Sequence, residues 1–131
     1  MGAPATSTPR PDAAAHREAI SAAFPVVVTK LVAVLGKKLT AYIGGAKDTR
    51  TVERWMNGIE PYRNPDDRIR LAFQVAQMLV EKDDPRVVQA WFTGLNPDLN
   101  DRAPIRFFRD EDFEAAGPRV IAAARSFLVG G

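Results

Sequence analysis

Between Gly44 and Gly58 the chain runs GGAKDTRTVERWMNG, a stretch that gathers side chains able to recognise a charged, hydrogen-bonding surface. Arg50 and Arg54 carry guanidinium forks and Asn57 a carboxamide, the groups that pair two-pronged with guanine and adenine edges. Thr49 and Thr51 stand where a helix would begin, so their hydroxyls and the free amides of a first turn suit phosphate oxygens. Lys47 adds a cation, and Lys37, Lys38 and Arg63 are spaced to ride a nucleic-acid backbone nearby. Glu53 is the opposing charge on this face: it repels phosphate unless it accepts from a cytosine amino group. The competing reading is an ordinary amphipathic helix, whose wet face also carries Arg and Glu.

These residues need a scaffold, and the punctuation around them supplies one. Leu39 to Ile43 forms a short helix stopped by Gly44 and Gly45, with Gly45 and Ala46 at the turn. Asp48 caps a second helix of about nine residues, Thr49 to Asn57, which Gly58 ends. Val52, Trp55 and Met56 give that helix a buried side. Two short helices with a small residue where the backbones approach describe a helix-turn-helix over about residues 38–58.

The surrounding chain reads as all-α. An alanine-rich helix runs from about Asp12 and ends before Pro25. PVVVTKLVAVLG is ambiguous, because its valines favour strand. Val28, Leu31, Val32 and Leu35 nevertheless recur at helical spacing, with Pro25 in the first turn and Gly36 at the end, which selects helix. Asn64 and Pro65 open a long helix with Asp66 and Asp67 in its first turn and Ile69, Ala72, Phe73, Ala76, Leu79 and Val80 inward. Asp84, Pro85 and Gly94 bracket another, with Val87, Val88, Trp91 and Phe92 apolar. After a loop, a short helix starts at Pro104, and a last helix aligns Val120, Ile121, Ala124, Phe127 and Leu128. The expected organisation is a disordered arm over 1–11, a helical N-terminal domain over 12–64 and a helical C-terminal module over 65–131.

Charge divides along the chain. The net charge is only +2, but residues 30–70 hold nine bases against five acids, whereas residues 71–131 hold seven against nine. A basic middle followed by an acidic C-terminal part suits a DNA-facing segment and a protein-facing one. Cysteine is absent, so disulfide and thiolate chemistry are excluded and a cytoplasmic location is expected. No apolar run approaches the ~18–20 residues a membrane helix needs, and the first residues lack a secretory core, so no membrane partner is expected.

TVERWMNG resembles the V-x-R-W-x-x-G signature that ends the recognition helix of Xre/Cro-type regulators. Relative to most of them, the turn GGAKDTR is one residue longer. The C-terminal part, through Trp91, Gly94, Asn96, Pro97, Leu99, Pro104 and the helix from Val120, resembles the toxin-binding domain of Xre/MbcA/ParS-type antitoxins. Together the resemblances cover about residues 28–130. They imply a DNA-binding, self-associating antitoxin whose partners are double-stranded operator DNA and a protein toxin of the RES type, an NAD-consuming enzyme. The family's tail can plug its toxin, a role that falls on Phe127, Leu128 and Val129 here. Independently of that likeness, Asn96 before Pro97 initiates a turn and Leu99 anchors it. Arg106, Arg109 and Arg119 lie among Asp101, Asp110, Glu111 and Asp112, either as a solvated face or as a partner patch to which Arg106 and Arg109 are assigned.

Enzymatic chemistry finds little footing. The single histidine, His16, sits in the alanine-rich helix and is expected at the surface. Without cysteine, a zinc site would need carboxylates around that one histidine. Asp83, Asp84 and the cluster from Asp110 to Asp112 stand at helix starts, where capping and the helix dipole explain them. IGGAK lacks the spacing of a phosphate loop. No catalytic residue, metal or cofactor is assigned. The function expected is a dimeric DNA-binding regulator of antitoxin type. The alternative is a protein-interaction adaptor whose helix-turn-helix no longer binds DNA.

Overall fold

The structure is a computed structural model that describes residues 11–61 and 65–130. The expected N-terminal arm, Arg63 and the Asn64 cap therefore fall outside the described residues, save that Pro11 already begins a helix. The described residues are all-α. Helices α1 (Pro11–Ser21), α2 (Phe24–Leu35), α3 (Lys37–Gly44) and α4 (Thr49–Met56) precede α5 (Asp66–Val80); α6 (Pro85–Thr93), α7 (Pro104–Asp110) and α8 (Phe113–Leu128) follow, with one 3₁₀ turn at Pro97–Leu99.

The valine-rich segment is helical because its apolar residues fall on one face: Val27, Val28, Leu31, Val34 and Leu35 are buried in α2. Val32 is only partly buried, against the core's edge. Helical periodicity therefore overrides the strand preference of valine, which is a weak prior once a face is buried.

Helix α5 is the axis of the molecule. Ile69, Ala72, Phe73, Ala76 and Leu79 are buried as the stripe predicts, but Leu71, Gln74, Val75 and Met78 are buried too, whereas Val80 is only half-buried. Every residue from Leu71 to Ala76 is buried, more than one and a half turns, so no side of this stretch faces water. The cause is tertiary: α1, α2 and α3 pack on α5, and so do α6, α7 and α8. One apolar cluster consequently extends from Ala15 in α1 to Ala124 in α8, with residues on both sides of position 64.

Arg70 fastens α1 to this axis. Its Nε donates to Asp66 Oδ1 at 2.7 Å, and its Nη1 donates to the carbonyls of Ala19 and Ala22, each at 2.7 Å. Those carbonyls belong to the end of α1, where the helix leaves its last acceptors unsatisfied. A half-buried cation thus satisfies groups that would otherwise be orphaned.

In the C-terminal part, Asp84 caps α6 by accepting from the amides of Arg86 and Val87 at 2.9 and 3.2 Å. Val88, Trp91 and Phe92 are buried, but Val87, expected on the same face, is exposed. Phe92 stacks on Phe108 of α7 at 5.7 Å and meets Trp91 edge-on at 5.3 Å. Gln89 donates to the carbonyl of Val34 at 2.8 Å and ties α6 to the end of α2. The buried line of α8 runs through Ala116, Val120, Ala123 and Ala124. Ile121, Phe127 and Leu128, expected beside Val120 and Ala124, are only partly buried.

The Gly94–Arg102 segment is a self-closed loop. Asn96 donates its amide to the Arg102 carbonyl at 3.1 Å, and its own carbonyl accepts from Leu99 and Asp101, both at 2.9 Å. The Asn96 side chain accepts from the Asp98 amide at 2.9 Å, the turn expected of Asn before Pro. Leu99 is fully buried and anchors the loop. Arg102 holds its far end, with Glu111 at 2.8 Å, Asp110 at 3.5 Å and the Phe107 ring 4.7 Å beneath its guanidinium.

Candidate nucleic-acid interface

Helices α3 and α4 are joined by the turn Gly45–Asp48, and each ends in the same hydrogen-bond pattern. At the end of α3, Gly45 donates to the Tyr42 carbonyl at 3.2 Å and Ala46 to the Ala41 carbonyl at 2.9 Å. At the end of α4, Gly58 donates to Trp55 at 3.1 Å and Ile59 to Arg54 at 2.9 Å. This paired closure requires a left-handed residue, which Gly45 (φ 74°) and Gly58 (φ 85°) provide without a Cβ penalty. The expected helix limits shift slightly: α3 begins at Lys37, and α4 ends at Met56, leaving Asn57 as its C-terminal cap rather than its last turn.

The start of α4 is fixed by Asp48, whose carboxylate accepts from the amides of Arg50 at 3.1 Å and Thr51 at 3.3 Å. The Thr51 amide holds the Asp48 carboxyl below its ordinary value of 3.8; desolvation opposes it, and the Arg50 guanidinium and amide add to the lowering. A carboxyl depressed in the folded state contributes stability that is complete above its unfolded value and disappears as pH falls through the folded one. The stability advantage of the wild type over Asp48→Asn, which keeps an acceptor but no charge, is accordingly expected to hold at neutral pH and to shrink below about pH 4. Urea unfolding of both proteins across that range measures it; a difference independent of pH contradicts the assignment.

The close approach of the two helices falls on Gly44 rather than in the turn. A Cβ on Gly44 would lie 2.8 Å from two ring carbons of Trp55 and 3.3 Å from Cδ1 of Ile69. Trp55 itself is buried and meets Phe24 edge-on at 5.9 Å, so its ring has nowhere to retreat. Gly44→Ala gains up to ~1 kcal/mol of helix preference but overpacks this seam at a cost of about 1–3 kcal/mol. Net destabilisation is expected in denaturant titration, and unchanged or higher stability would show that the Trp55 ring is not seated there.

With Val52 and Trp55 buried, the opposite face of α4 points outward. At 100° per residue, Arg50, Arg54 and Asn57 fall within about 60° of arc, opposite the buried pair. All three are exposed, as is Lys47, whereas Thr49, Thr51 and Glu53 are partly exposed on the flanks. Two details modify the charge of this face. Lys37 at the start of α3 meets Glu53 at 2.7 Å and neutralises its acid. Both side chains are more than 40% exposed, so the pair adds only about 0–1 kcal/mol to stability; its consequence is electrostatic. Arg50 lies 3.3 Å from Asp48 while remaining 82% exposed, a solvent-screened pair that leaves its donors accessible. Among the described residues Arg54 has no ion-pair partner.

The residues expected to meet a protein partner are not gathered in one place. Phe127, with Trp91, Leu95, Asn96 and Ala123, lines a groove of about 300 Å³ between α6, the closed loop and α8. Leu128 is partly buried, and Val129 is 83% exposed beyond it. Arg106 is exposed and lies 3.9 Å from Asp110 of its own helix. Arg109 is directed to α3, with its guanidinium 4.5 Å from the centre of the Tyr42 ring. Arg119 covers Phe107 at 5.1 Å. His16 is exposed as expected, with Nδ1 3.4 Å from Gln74 Oε1.

Three contacts were not foreseen from the sequence: Gly44 with Trp55, Lys37 with Glu53, and Arg109 with Tyr42. The first was the most accessible, since adjacent glycines before a Trp-bearing helix suggest that one of them is there for space. What the chain defines is an all-α bundle in which α3 and α4, joined by the turn Gly45–Asp48, present a polar, partly cationic outer face. Compared with known proteins, it matches no family model, no curated protein and no solved structure.

Proposed function

We propose that this chain is a dimeric DNA-binding regulator of the antitoxin type, cytoplasmic and nucleoid-associated when bound, which reads operator DNA through α4 and captures a protein toxin through its C-terminal part. The observation that carries the DNA-reading role is the outward stripe of Arg50, Arg54 and Asn57, set directly opposite the buried Val52 and Trp55. A short rod buried on one side and armed with forked donors on the other fits a major groove. Neutralisation of Glu53 by Lys37 removes the repulsion that argued against phosphate proximity. Two-fold operators require two copies, hence the dimer. The toxin-binding role, with a RES-type enzyme as partner, rests on the C-terminal likeness; the exposed Leu95 and Val129 near the Phe127 groove support an apolar docking face there.

The adaptor reading draws support from one contact, the Asp48 carboxylate beside Arg50. A salt series separates the two. In fluorescence anisotropy with a labelled duplex from the chain's own upstream region, log K is expected to fall linearly with log salt, with a slope near −0.9 per phosphate neutralised. Absence of binding at low salt favours the adaptor.

A further inference from the structure

The C-terminal part touches the helix-turn-helix at a point where it can control α4. Helix α7 packs on α3, and from its last turn Arg109 reaches across 67 positions of sequence to Tyr42. The guanidinium lies 4.5 Å above the Tyr42 ring, and Nη1 donates to the Tyr42 carbonyl at 3.4 Å. That carbonyl is also the acceptor for the Gly45 amide at 3.2 Å, one of the two bonds that close α3 and open the turn. Two residues on, Gly44 lies under the Trp55 ring. Arg109 therefore grips the acceptor from which the turn hangs, and the turn sets the direction of α4. Arginine suits this task because its planar fork can stack on a ring and donate at its edge at once, which a lysine ammonium cannot. The same end of α7 is held in turn: Arg102 bridges Asp110 and Glu111, and Phe107 and Phe108 are buried in the core.

We infer that Arg109 is a positioning residue, clamping Tyr42 so that the α6–α8 part of the chain holds the α3–α4 turn, and with it the aim of α4. The clamp itself stands on geometry; its effect on DNA rests on the reading proposed above. A partner that displaced α7 would release the turn without touching α4.

The test compares wild type, Arg109→Ala and Arg109→Lys by NMR amide exchange and by duplex anisotropy. Arg109→Ala is expected to speed exchange at Gly45 and Ala46 about two- to five-fold, the size of an exposed cation–π contact, to shift the Trp55 indole resonance, and to leave the buried amides of α5 unchanged. Arg109→Lys should recover only part of that protection. In the background of Tyr42→Leu, which removes the ring but keeps the carbonyl that Arg109 donates to, the alanine substitution should have a smaller effect than in the wild type. Duplex affinity should fall by a similar factor with the salt slope preserved, because Arg109 does not itself neutralise a phosphate. Unchanged exchange at Gly45 and Ala46 overturns the inference. So does faster exchange throughout α5, which would mark a general stabilising role, and so does a slope reduced by about one, which would mark a direct phosphate contact. If the wild type binds no duplex, the DNA reading fails, and the exchange and indole data alone decide the clamp.

Discussion

Alanine at both Arg50 and Arg54 is expected to lower duplex affinity about a hundred-fold or more at fixed salt while the protein stays folded. A two-pronged base contact discriminates by about 1–3 kcal/mol, and the two side chains stand one turn apart on the same face of α4, so their losses will not add independently. Stability should move by no more than about half a kcal/mol, because neither side chain is buried and the Arg50–Asp48 contact is solvent-screened. Thermal unfolding provides the control, and anisotropy against specific and scrambled duplexes provides the measurement. If affinity falls equally for both duplexes and the salt slope drops, the arginines ride phosphates and sequence is read elsewhere. If affinity does not change, α4 is not the reading element.

The largest effect on stability is expected at Phe92. Its ring is fully buried between α6 and α7, stacked on Phe108 and edge-on to Trp91. Phe92→Ala removes the ring and leaves a cavity that flanking helices fill only in part, at a cost of about 3–5 kcal/mol. Against a total of roughly 5–15 kcal/mol for a domain of this kind, that is enough to populate unfolded chains at moderate temperature. Phe92→Leu keeps most of the volume and should cost far less. Urea unfolding of the pair gives the comparison. A small loss in the alanine variant would mean that α7 moves in to fill the space, and Arg109, at the end of that helix, would move with it.

The boundaries of this fold were legible because they depend on local chemistry. Asp48 and Asp84 cap helices, Pro25, Pro85 and Pro104 open them, and Gly36, Gly45 and Gly58 close them, each through bonds spanning five residues or fewer. The outward stripe of α4 was legible for the same reason, since helical spacing alone separates Arg50, Arg54 and Asn57 from Val52 and Trp55. What lies on all sides of a helix was not. The burial of Leu71, Gln74, Val75 and Met78 depends on helices that are remote in sequence, and periodicity within α5 points to a single inner face. Val87 and Ile121 err the other way: each sits at the rim of an apolar stripe whose neighbours do not extend far enough to cover it. Charge partners were equally hidden, since Lys37 finds Glu53 sixteen positions away and Arg109 finds Tyr42 sixty-seven positions away.

The enclosure of α5 joins both halves in one apolar cluster. A fragment stopped at Pro61 would leave the faces of α1, α2 and α3 that pack on α5 open to water, and one begun at Pro65 would carry a greasy rod with half its sheath missing. Transplanting α3 and α4 into another scaffold would mean replacing the support that α2 gives α4 and α5 gives α3.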